Sequence, residues 1–335
     1  MANTGLKAVA LFSGIGGMCL GFEKSGIKTI WAVENDPAAI STYKKNIKDV
    51  RLIEEDVRKV SVEKFQLEPV DVLHAGFPCQ SFSQAGEKKG FADPRGKLFF
   101  EIIRIIKEFK DKKPSVLVFE NAPYIKIGDG GSWFVELSRH IKRAGYWFRE
   151  SSCAELDSFD LTPLPQKRNR LFMVAFSIKK FRNGRFHFPS AINEKNNNKD
   201  LKRFVDFTGN GKDPFYYLDS ENRYYHLIKK HIEDKFRIYQ LRKYIVRIKE
   251  PDVCPTLTAN MGLGGHNVPF IHDKKGIRKL TEYECLKLQG FPKTFEFPEN
   301  VSKAKRYMQV GNSVSVPVAE LLSKNLIKKI EKESQ

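Results

Sequence analysis

Cysteine is scarce in this sequence, and long apolar segments are lacking. The five cysteines in 335 residues stand singly, without a C-x-x-C pair, so they imply neither a zinc site nor a disulfide framework. No apolar run approaches the roughly 20 residues of a membrane-spanning helix, and the N-terminal residues lack a signal-peptide layout. We therefore expect a reduced, soluble protein of the cytoplasm, with no metal site and no membrane association.

Acidic residues are few relative to basic ones. Asp and Glu number 40 against 58 Lys and Arg, which leaves a formal net charge of +18. A basic surplus of this size favours a polyanionic partner. Nucleic acid is the first candidate; an anionic membrane surface is the second, and the lack of a spanning run and of a signal-peptide layout argues against it. The chain is also long enough to bury a large core and to form two domains.

The first half of the chain alternates short apolar runs with helical patterns. Six runs predict strands, at residues 7–12, 29–33, 51–53, 70–75, 116–119 and 171–176. Between the fourth and fifth runs, apolar residues recur at helical spacing through 97–109, which predicts an amphipathic crossover helix. This alternation is typical of an α/β fold with a doubly wound, mostly parallel sheet.

The composition changes after about residue 176. Asn, Lys and aromatic residues become frequent, and 193–199 is a low-complexity segment typical of an exposed loop. A final helical pattern over 313–330 carries an apolar stripe, which packing on the first domain would cover. We therefore predict one domain of residues 1–180 plus 303–335, and a smaller second domain of residues 181–302.

One cysteine stands where a buried strand is expected to end. The segment Phe77-Pro78-Cys79-Gln80 follows the apolar run 70–76. Pro78 fixes its own φ and Gly76 permits a tight backbone path, so Cys79 can be presented at the carboxyl end of the strand. These residues alone leave two interpretations open: a nucleophile in a loop, or a small buried hydrophobic residue.

A glycine-rich turn follows the first predicted strand, in Phe12-Ser13-Gly14-Ile15-Gly16-Gly17. Such a turn lets a ligand approach the backbone amides at a helix N-terminus. Cys19 stands where the dinucleotide motif has its third glycine, so a pyrophosphate site is disfavoured. Glu34 after the second strand could accept from ribose hydroxyls, and Asp56 after the third could accept from an adenine amine. Each acid alone could be a solvated carboxylate, but the ordered set indicates an adenosine pocket.

Together with other segments, these residues resemble the cytosine-C5 DNA methyltransferase family, in the family's motif order and over nearly the whole chain. The matches are Phe12-Ser13-Gly14-Ile15-Gly16-Gly17, Glu34, Asp56, Gly76-Phe77-Pro78-Cys79-Gln80-Ser81-Phe82-Ser83, Arg95-Gly96-Lys97-Leu98-Phe99, Glu120-Asn121, Gln166-Lys167-Arg168-Asn169-Arg170, Thr256-Leu257, Arg278-Lys279-Leu280-Thr281, Gln289-Gly290-Phe291-Pro292 and Gln309-Val310-Gly311-Asn312-Ser313-Val314. Any one match is modest, whereas the ordered set is specific. Ala122-Pro123 departs from the family, which commonly has Val after Glu-Asn, so we expect altered loop packing there.

The resemblance implies the fold, the cofactor and the target. The fold would be the Rossmann-like fold of S-adenosylmethionine-dependent methyltransferases with a smaller target-recognition domain. The cofactor would be S-adenosylmethionine, and the target a cytosine ring carbon in double-stranded DNA.

The resemblance also implies catalytic roles. The thiolate of Cys79 would add to C6 of a cytosine rotated out of the duplex, which activates C5 as methyl acceptor. Glu120 would hold or protonate N3 of the base. Arg168 would steady the base near its O2, and Arg170 would hold the catalytic loop. Without the resemblance, Glu120 is a helix-capping or surface acid and the arginines are a solvated strand end.

The same motifs imply the binding residues. The cofactor would contact Phe12, Gly14, Gly16, Gly17, Glu34, Asp56, Val57, Pro78, Leu98, Asn312, Ser313 and Val314. DNA would contact Ser81, Ser83, Gln84, Thr256 and Leu257. The small and polar residues after Cys79 have the composition of a mobile lid, which we expect to close on DNA. The basic, aromatic segment 179–252 should supply most sequence recognition, although its aromatic residues could equally form the core of the small domain.

We therefore expect a DNA cytosine-5 methyltransferase that acts as a monomer on duplex DNA, in the bacterial cytoplasm and associated with the nucleoid. The compact chain resembles the modification enzyme of a restriction–modification system, whose endonuclease would be a genetic rather than a physical partner. Two alternatives stay open: an RNA cytosine-5 methyltransferase acting on transfer RNA, and a non-catalytic DNA-binding protein on the same fold. The intact set of Cys79, Glu120 and Arg168 argues against the second.

Overall fold

The computed structural model describes residues 4–78, 96–191, 199–233, 236–263 and 266–334. Its contacts divide the chain into unit 1, which comprises Met1–Leu156, Asn169–Ser190 and Val316–Gln335, and unit 2, which comprises Asp157–Arg168 and Ala191–Ser315. The predicted division put 157–168 and 303–315 in the first domain and 181–190 in the second, whereas the contacts put the first two segments in unit 2 and 181–190 in unit 1. The assignment of a cofactor role to one domain and a DNA-reading role to the other stays a prediction.

Unit 1 is built on an eight-stranded sheet. Its strands are β1 Lys7–Leu11, β2 Lys28–Glu34, β3 Arg51–Glu54, β4 Val72–Ala75, β5 Val116–Asn121, β6 Tyr146–Trp147, β7 Cys153–Asp157 and β8 Asn169–Ser177. The order is β3-β2-β1-β4-β5-β8-β6, and β7 pairs with β8. The first five strands are parallel, β8 runs antiparallel to β5, and β6 runs antiparallel to β8. The predicted fold class, an α/β fold with a mostly parallel sheet, is confirmed.

The helices of the described residues are α1 Gly17–Ser25, α2 Pro37–Asn46, α3 Leu98–Glu108, α4 Ser132–Arg143, α5 Ser158–Leu161, α6 Tyr225–Lys229, α7 Glu282–Leu288, α8 Lys303–Asn312 and α9 Val316–Ser334. None of them is both long and apolar enough to cross a membrane. The predicted crossover helix corresponds to α3, whose buried face includes Ile102, Ile105 and Ile106.

Helices cover both faces of the sheet of unit 1. Side chains alternate along each strand, so neighbouring residues of one strand contribute to two different cores. Val9 and Leu11 of β1 belong to a core that includes the buried residues of α3 and α4. Ala10 of β1 and Ala32 of β2 point to the other face, where they join Cys19 and Tyr43 of α1 and α2 in a second cluster. The parallel strands are therefore buried on both sides, as their continuous apolar runs require.

The last helix packs on unit 1, as its apolar stripe predicts. Gly21 of α1 lies so close to α9 that a Cβ atom there would be 2.5 Å from the Cβ of Ala319. The predicted start of this helix at residue 313 is wrong by three residues, since α8 ends at Asn312 and α9 begins at Val316. Ser313 has extended backbone angles, and Pro317 is suited to a first helical turn because it has no N–H to leave unbonded.

Unit 2 contains a four-stranded antiparallel sheet. Its strands are β9 Tyr239–Arg242, β10 Ile245–Ile248, β11 His266–His272 and β12 Ile277–Lys279, in the order β10-β9-β11-β12. One face is a small core of Ile228, Tyr239, Leu241, Val268, Phe270 and Ile277, with Tyr224 and Tyr225 packed against it. These three tyrosines therefore serve the core of the unit, which was one of the two roles that the sequence left open.

Candidate active site

The glycine-rich turn lies between β1 and α1, at the carboxyl end of the first strand. Gly14 and Gly16 have φ values of 55° and 86°, which favour glycine. A Cβ atom on Gly16 would also lie 2.0 Å from Cδ1 of Ile47. The N-terminus of α1 has no side-chain cap. The turn thus brings uncapped backbone amides to the carboxyl edge of the sheet.

Glu34 is held in place at the end of β2. Its Oε1 accepts hydrogen bonds from the backbone N–H groups of Asn35 and Asp36, both at 2.9 Å. Its Oε2 accepts one from the backbone N–H of Gly14 at 2.8 Å. The carboxylate therefore ties the glycine turn to the neighbouring strand end and keeps lone pairs for a further donor.

Asp56 follows β3 and caps the short 3-10 turn Val57–Lys59. Its Oδ1 accepts from the backbone N–H and from Nε of Arg58, both at 2.9 Å, and its Oδ2 accepts from Nη2 at 2.5 Å. These hydrogen bonds from Arg58 hold the pKa of the Asp56 carboxyl below its ordinary value. Arg58 has no counterpart among the residues predicted from the sequence.

A cavity of about 280 Å³ opens between these strand ends in unit 1. Six predicted cofactor residues line it, namely Phe12, Glu34, Asp56, Val57, Pro78 and Leu98. Val33, Asn35, Glu55 and Arg58 line it too, and the sequence did not single them out. Three carboxylates against one guanidinium give the wall a negative balance, which favours a cationic ligand.

The remaining predicted cofactor residues lie elsewhere. Gly14, Gly16 and Gly17 form the turn beside the cavity. Asn312, Ser313 and Val314 belong to unit 2, where they end α8 and lead to α9. The contribution of these three residues to cofactor binding stays a prediction.

Glu120 lies near the carboxyl end of β5 and is 8% exposed. Its Oε1 is 3.1 Å from Nε of Arg170, which belongs to β8, the antiparallel neighbour of β5. Gly76 leaves room for the other oxygen, since a Cβ atom there would lie 3.3 Å from Oε2 of Glu120. Asn121 donates from Nδ2 to the carbonyl of Phe77 at 3.1 Å, so β5 also holds the segment that leads to residue 79.

Cys79, Ser81, Ser83 and Gln84 lie outside the described residues, and so does the predicted lid. The other four cysteines are free thiols. Burial raises the pKa of Cys19 to about 11 and that of Cys153 to about 12, and it also raises the pKa of Cys254 and Cys285. Because the thiolate is the nucleophilic form, these four are poorly suited to attack a substrate.

Arg168 belongs to unit 2, whereas Arg170 belongs to unit 1. Arg168 is 3% exposed; its Nη1 donates to the carbonyl of Leu257 at 2.8 Å, and its Nη2 donates to the carbonyls of Gly311 and Ser313 at 2.9 and 2.6 Å. Arg168 therefore joins two backbone segments of unit 2. Arg170 lies next to the carboxyl group of Glu120, and the predicted roles of both arginines stay predictions.

Thr256 and Leu257 lie beside Arg168 in unit 2. Thr256 donates from its hydroxyl to the carbonyl of Lys167 at 2.7 Å, and the backbone N–H of Leu257 donates to Oε1 of Gln166 at 3.1 Å. The Leu257 side chain is buried, so only its backbone could reach a ligand. Among the residues that the structure describes, no group of three His, Cys, Asp or Glu side chains could hold a metal ion.

The chain is similar to known proteins over almost its whole length. The family model described as "C-5 cytosine-specific DNA methylase" matches residues 6–328. The Type II methyltransferase M.Bsp6I of Bacillus sp. (strain RFL6) is 39% identical over 326 residues, which cover 96% of this chain and 99% of that protein. The Type II methyltransferase M.NlaX of Neisseria lactamica is 33% identical over 334 residues, which cover 96% of each.

Solved structures share the fold at low sequence identity. The Entamoeba histolytica methyltransferase EhMeth superposes with a TM-score of 0.73 at 19% identity, covering 98% of this chain and 99% of that one. The S. pombe Dnmt2 methyltransferase gives a TM-score of 0.71 at 18% identity, with 98% and 99% coverage. Motif order, strand-end geometry and the match over residues 6–328 agree: the chain belongs to the C-5 cytosine-specific DNA methylase family.

Proposed function

We propose that this enzyme transfers a methyl group from S-adenosylmethionine to C5 of a cytosine rotated out of duplex DNA, through a transient bond between Cys79 and C6. The pairing of Glu120 with Arg170 carries the proposal, since the guanidinium fixes one oxygen of a buried side-chain carboxyl group. This carboxylate lies by the strand end that leads directly into residue 79.

The cavity of unit 1 fits S-adenosylmethionine. Glu34 is oriented for ribose hydroxyls, Asp56 is an anionic acceptor for the adenine amine, and the wall of three carboxylates suits a sulfonium cation. S-adenosylmethionine supplies an electrophilic methyl group on that sulfonium. The protein's part is to hold this donor and to make the cytosine ring nucleophilic.

The residues of the chain act on the cytosine. The Cys79 thiolate forms a bond to C6, and the electrons of the C5–C6 double bond then form the bond from C5 to the methyl group, whose bond to the sulfonium sulfur would break and leave S-adenosylhomocysteine. Glu120 in its protonated form donates a hydrogen bond from Oε2 to N3, which stabilises the negative charge that builds up on the ring, while Arg170 fixes Oε1. Loss of the C5 proton restores the double bond and expels the thiolate.

The test is a trapping experiment. Duplex DNA with 5-fluorocytosine at the target position cannot lose the C5 substituent as a proton, so we expect a covalent protein–DNA species when S-adenosylmethionine is present. Cys79→Ala should abolish it. Failure to trap the wild-type enzyme on DNA that it demonstrably methylates would contradict the covalent route.

Glu120→Gln tests the carboxylate separately. Loss of the acidic group should lower kcat by about 10²- to 10⁴-fold, while binding of S-adenosylhomocysteine is kept. The control is Lys28→Ala, which changes an exposed residue at the opposite end of a strand and should leave kcat unchanged. Methylation of transfer RNA and not of duplex DNA by the wild type would replace this proposal with the RNA alternative.

We also propose the biological setting. Similarity to Type II methyltransferases supports the modification role of a restriction–modification system, with an endonuclease as genetic partner. Such an enzyme would act as a monomer in the cytoplasm, at the nucleoid where its DNA is. Digestion of chromosomal DNA with the cognate endonuclease, with and without this gene, tests the setting.

A further inference from the structure

The side chains of the β9–β10 hairpin alternate between two faces. The buried face contributes Tyr239, Leu241, Val246 and Ile248 to the core of unit 2. Gln240 and Arg247 are directly opposite each other in the antiparallel register, and they share the other face. This second face borders a groove of about 430 Å³ within unit 2, which we call the hairpin groove.

The hairpin groove has a surplus of positive charge. Lys167, Arg247 and Lys249 line it, and Glu250 is the only acid among the described residues that do so. Glu250 pairs with Lys167 at 3.1 Å, and no ion pair of Arg247 or Lys249 occurs within the described part of the chain. Burial and then the charges of Arg247 and Lys167 lower the pKa of Lys249. Three crowded cations with one counter-charge favour an anionic ligand.

Gln240 adds a second, independent indication of a ligand. It is only 6% exposed, it lines the groove, and its side-chain amide makes no hydrogen bond to any residue that the structure describes. A side-chain amide in the wall of a groove offers both a donor and an acceptor, so a ligand that presents the complementary pair is favoured. The edge of a nucleobase offers that pair, and adenine presents it in the major groove as N6 and N7.

The groove also contains a strained residue. Asn267 has φ of 55° at a bulge in β11, between residues that pair with Arg242 and Leu241 of the hairpin. Asn267, Thr256 and Thr258 bring further amide and hydroxyl groups to the same groove. Unusual backbone geometry of this kind concentrates at sites of function.

We propose that the hairpin groove binds the duplex DNA substrate, with Arg247 and Lys249 on the phosphate backbone and Gln240 on the edge of one base of the recognition sequence. This inference rests on the proposed function and names the residues that set its specificity. Phosphate contacts position the DNA without reading it, whereas the glutamine contact reads one base pair.

The phosphate contacts are tested by DNA affinity at several ionic strengths. Arg247→Ala and Lys249→Ala should each weaken binding to all sequences and reduce the slope of log K against log salt by about 1. Lys28→Ala removes the same charge from an exposed strand end of unit 1 and should leave the slope unchanged. Equal slopes for all three variants and the wild type would overturn this part.

The base contact is tested by sequencing methylated cytosines in DNA from cells that express each variant. Gln240→Ala and Gln240→Leu should relax the preference at one position of the recognition sequence by about 10- to 100-fold and leave the other positions intact. Binding of S-adenosylhomocysteine and the melting temperature check that both variants fold. If both folded variants methylate cytosines in the same sequence context as the wild type, the assignment of Gln240 is overturned and the proposed function stays in place. If DNA from cells that express the wild type contains no methylated cytosine, the proposed function itself is refuted.

Discussion

Asp56 shares both of its carboxylate oxygens with Arg58, and the pair lies in the wall of the cavity of unit 1. A carboxylate held in this way stays anionic at lower pH and keeps one orientation. Arg58 thereby acts as a positioning residue for the proposed adenine acceptor. Its own side chain is 62% exposed, so the energetic effect is modest.

Arg58→Ala should weaken binding of S-adenosylhomocysteine about two- to fivefold at neutral pH. The pKa of Asp56 should return towards its ordinary value, so the variant should lose affinity at a higher pH than the wild type as the solution is acidified. Isothermal titration calorimetry over this pH range measures both effects. Arg58→Lys is the control that keeps a positive charge without the bidentate geometry. An identical pH profile in the wild type and Arg58→Ala would contradict the positioning role.

Several site residues could be predicted from the sequence, and others could not. Glu34 and Asp56 are predictable because carboxyl ends of parallel strands meet at one edge of a sheet. Arg58 is not, since an arginine two residues after an aspartate resembles any exposed pair. The distinct environments of Arg168 and Arg170 are equally hidden, because the chain passes from unit 2 to unit 1 between them.

At the scale of elements, α1 and α9 of unit 1 make a close helix contact at Gly21. A Cβ atom on Gly21 would lie 2.5 Å from the Cβ of Ala319 and 2.6 Å from the carbonyl oxygen of Val316. The second neighbour is backbone, so it cannot rotate away. A side chain at this position would therefore push the two helices apart.

Gly21→Ala should lower the free energy of unfolding by about 1–3 kcal/mol, because overpacking outweighs the better helix propensity of alanine. Urea unfolding measures the change. Ala319→Gly in the same chain should restore only part of it, since the contact with the Val316 carbonyl remains. Glu23→Ala, on the exposed side of α1, should change stability by less than about 0.5 kcal/mol. An unchanged free energy of unfolding in Gly21→Ala would mean that α1 and α9 can move apart without loss of stability.

Elements could be predicted where local pattern decides them. The six predicted strands and α3 all occur, because apolar periodicity reflects burial directly. The antiparallel direction of β8 could not be predicted, since a strand buried on both faces has the same pattern in either direction. The break between α8 and α9 was missed because Val314 fits the apolar stripe although Ser313 is extended.

At the scale of the whole molecule, the net charge of +18 coexists with a buried ionic network in unit 2. Arg278 is fully buried; it donates from Nε to Asp273 at 2.7 Å and from Nη1 and Nη2 to Glu284, both at 2.8 Å. Burial alone would raise the pKa of Glu284, but the hydrogen bonds and charge of Arg278 outweigh it, so the pKa is lowered. The network links β12 to α7.

The stability of unit 2 should therefore depend on pH in a defined direction. The pKa of Glu284 is lower in the folded state than in the unfolded state. The contribution of Glu284 to the free energy of unfolding is therefore present above the ordinary carboxyl pKa, and it is lost as pH falls through the pKa of the folded protein. Arg278→Met should lower the free energy of unfolding by about 3–5 kcal/mol near neutral pH, since the carboxylates of Asp273 and Glu284 stay buried without the guanidinium.

Urea unfolding followed at several pH values tests this, and the sign of the pH dependence is the informative readout. In Arg278→Met the pKa of Glu284 should rise above its ordinary value, so acidification should stabilise the variant while it destabilises the wild type. The same sign of pH dependence in both proteins would show that the network does not control the titration of Glu284.

The order of the segments along the chain has a consequence for synthesis on the ribosome. Unit 1 takes its last helix, α9, from beyond the whole of unit 2, so the surface of α1 around Gly21 stays bare in the nascent polypeptide until residues 316–334 have been synthesised. At about 5–20 residues per second, this exposure lasts on the order of 15 to 60 seconds. Nascent chains of this protein should therefore recruit chaperones at α1, and chains that stop before residue 316 should lack a complete unit 1.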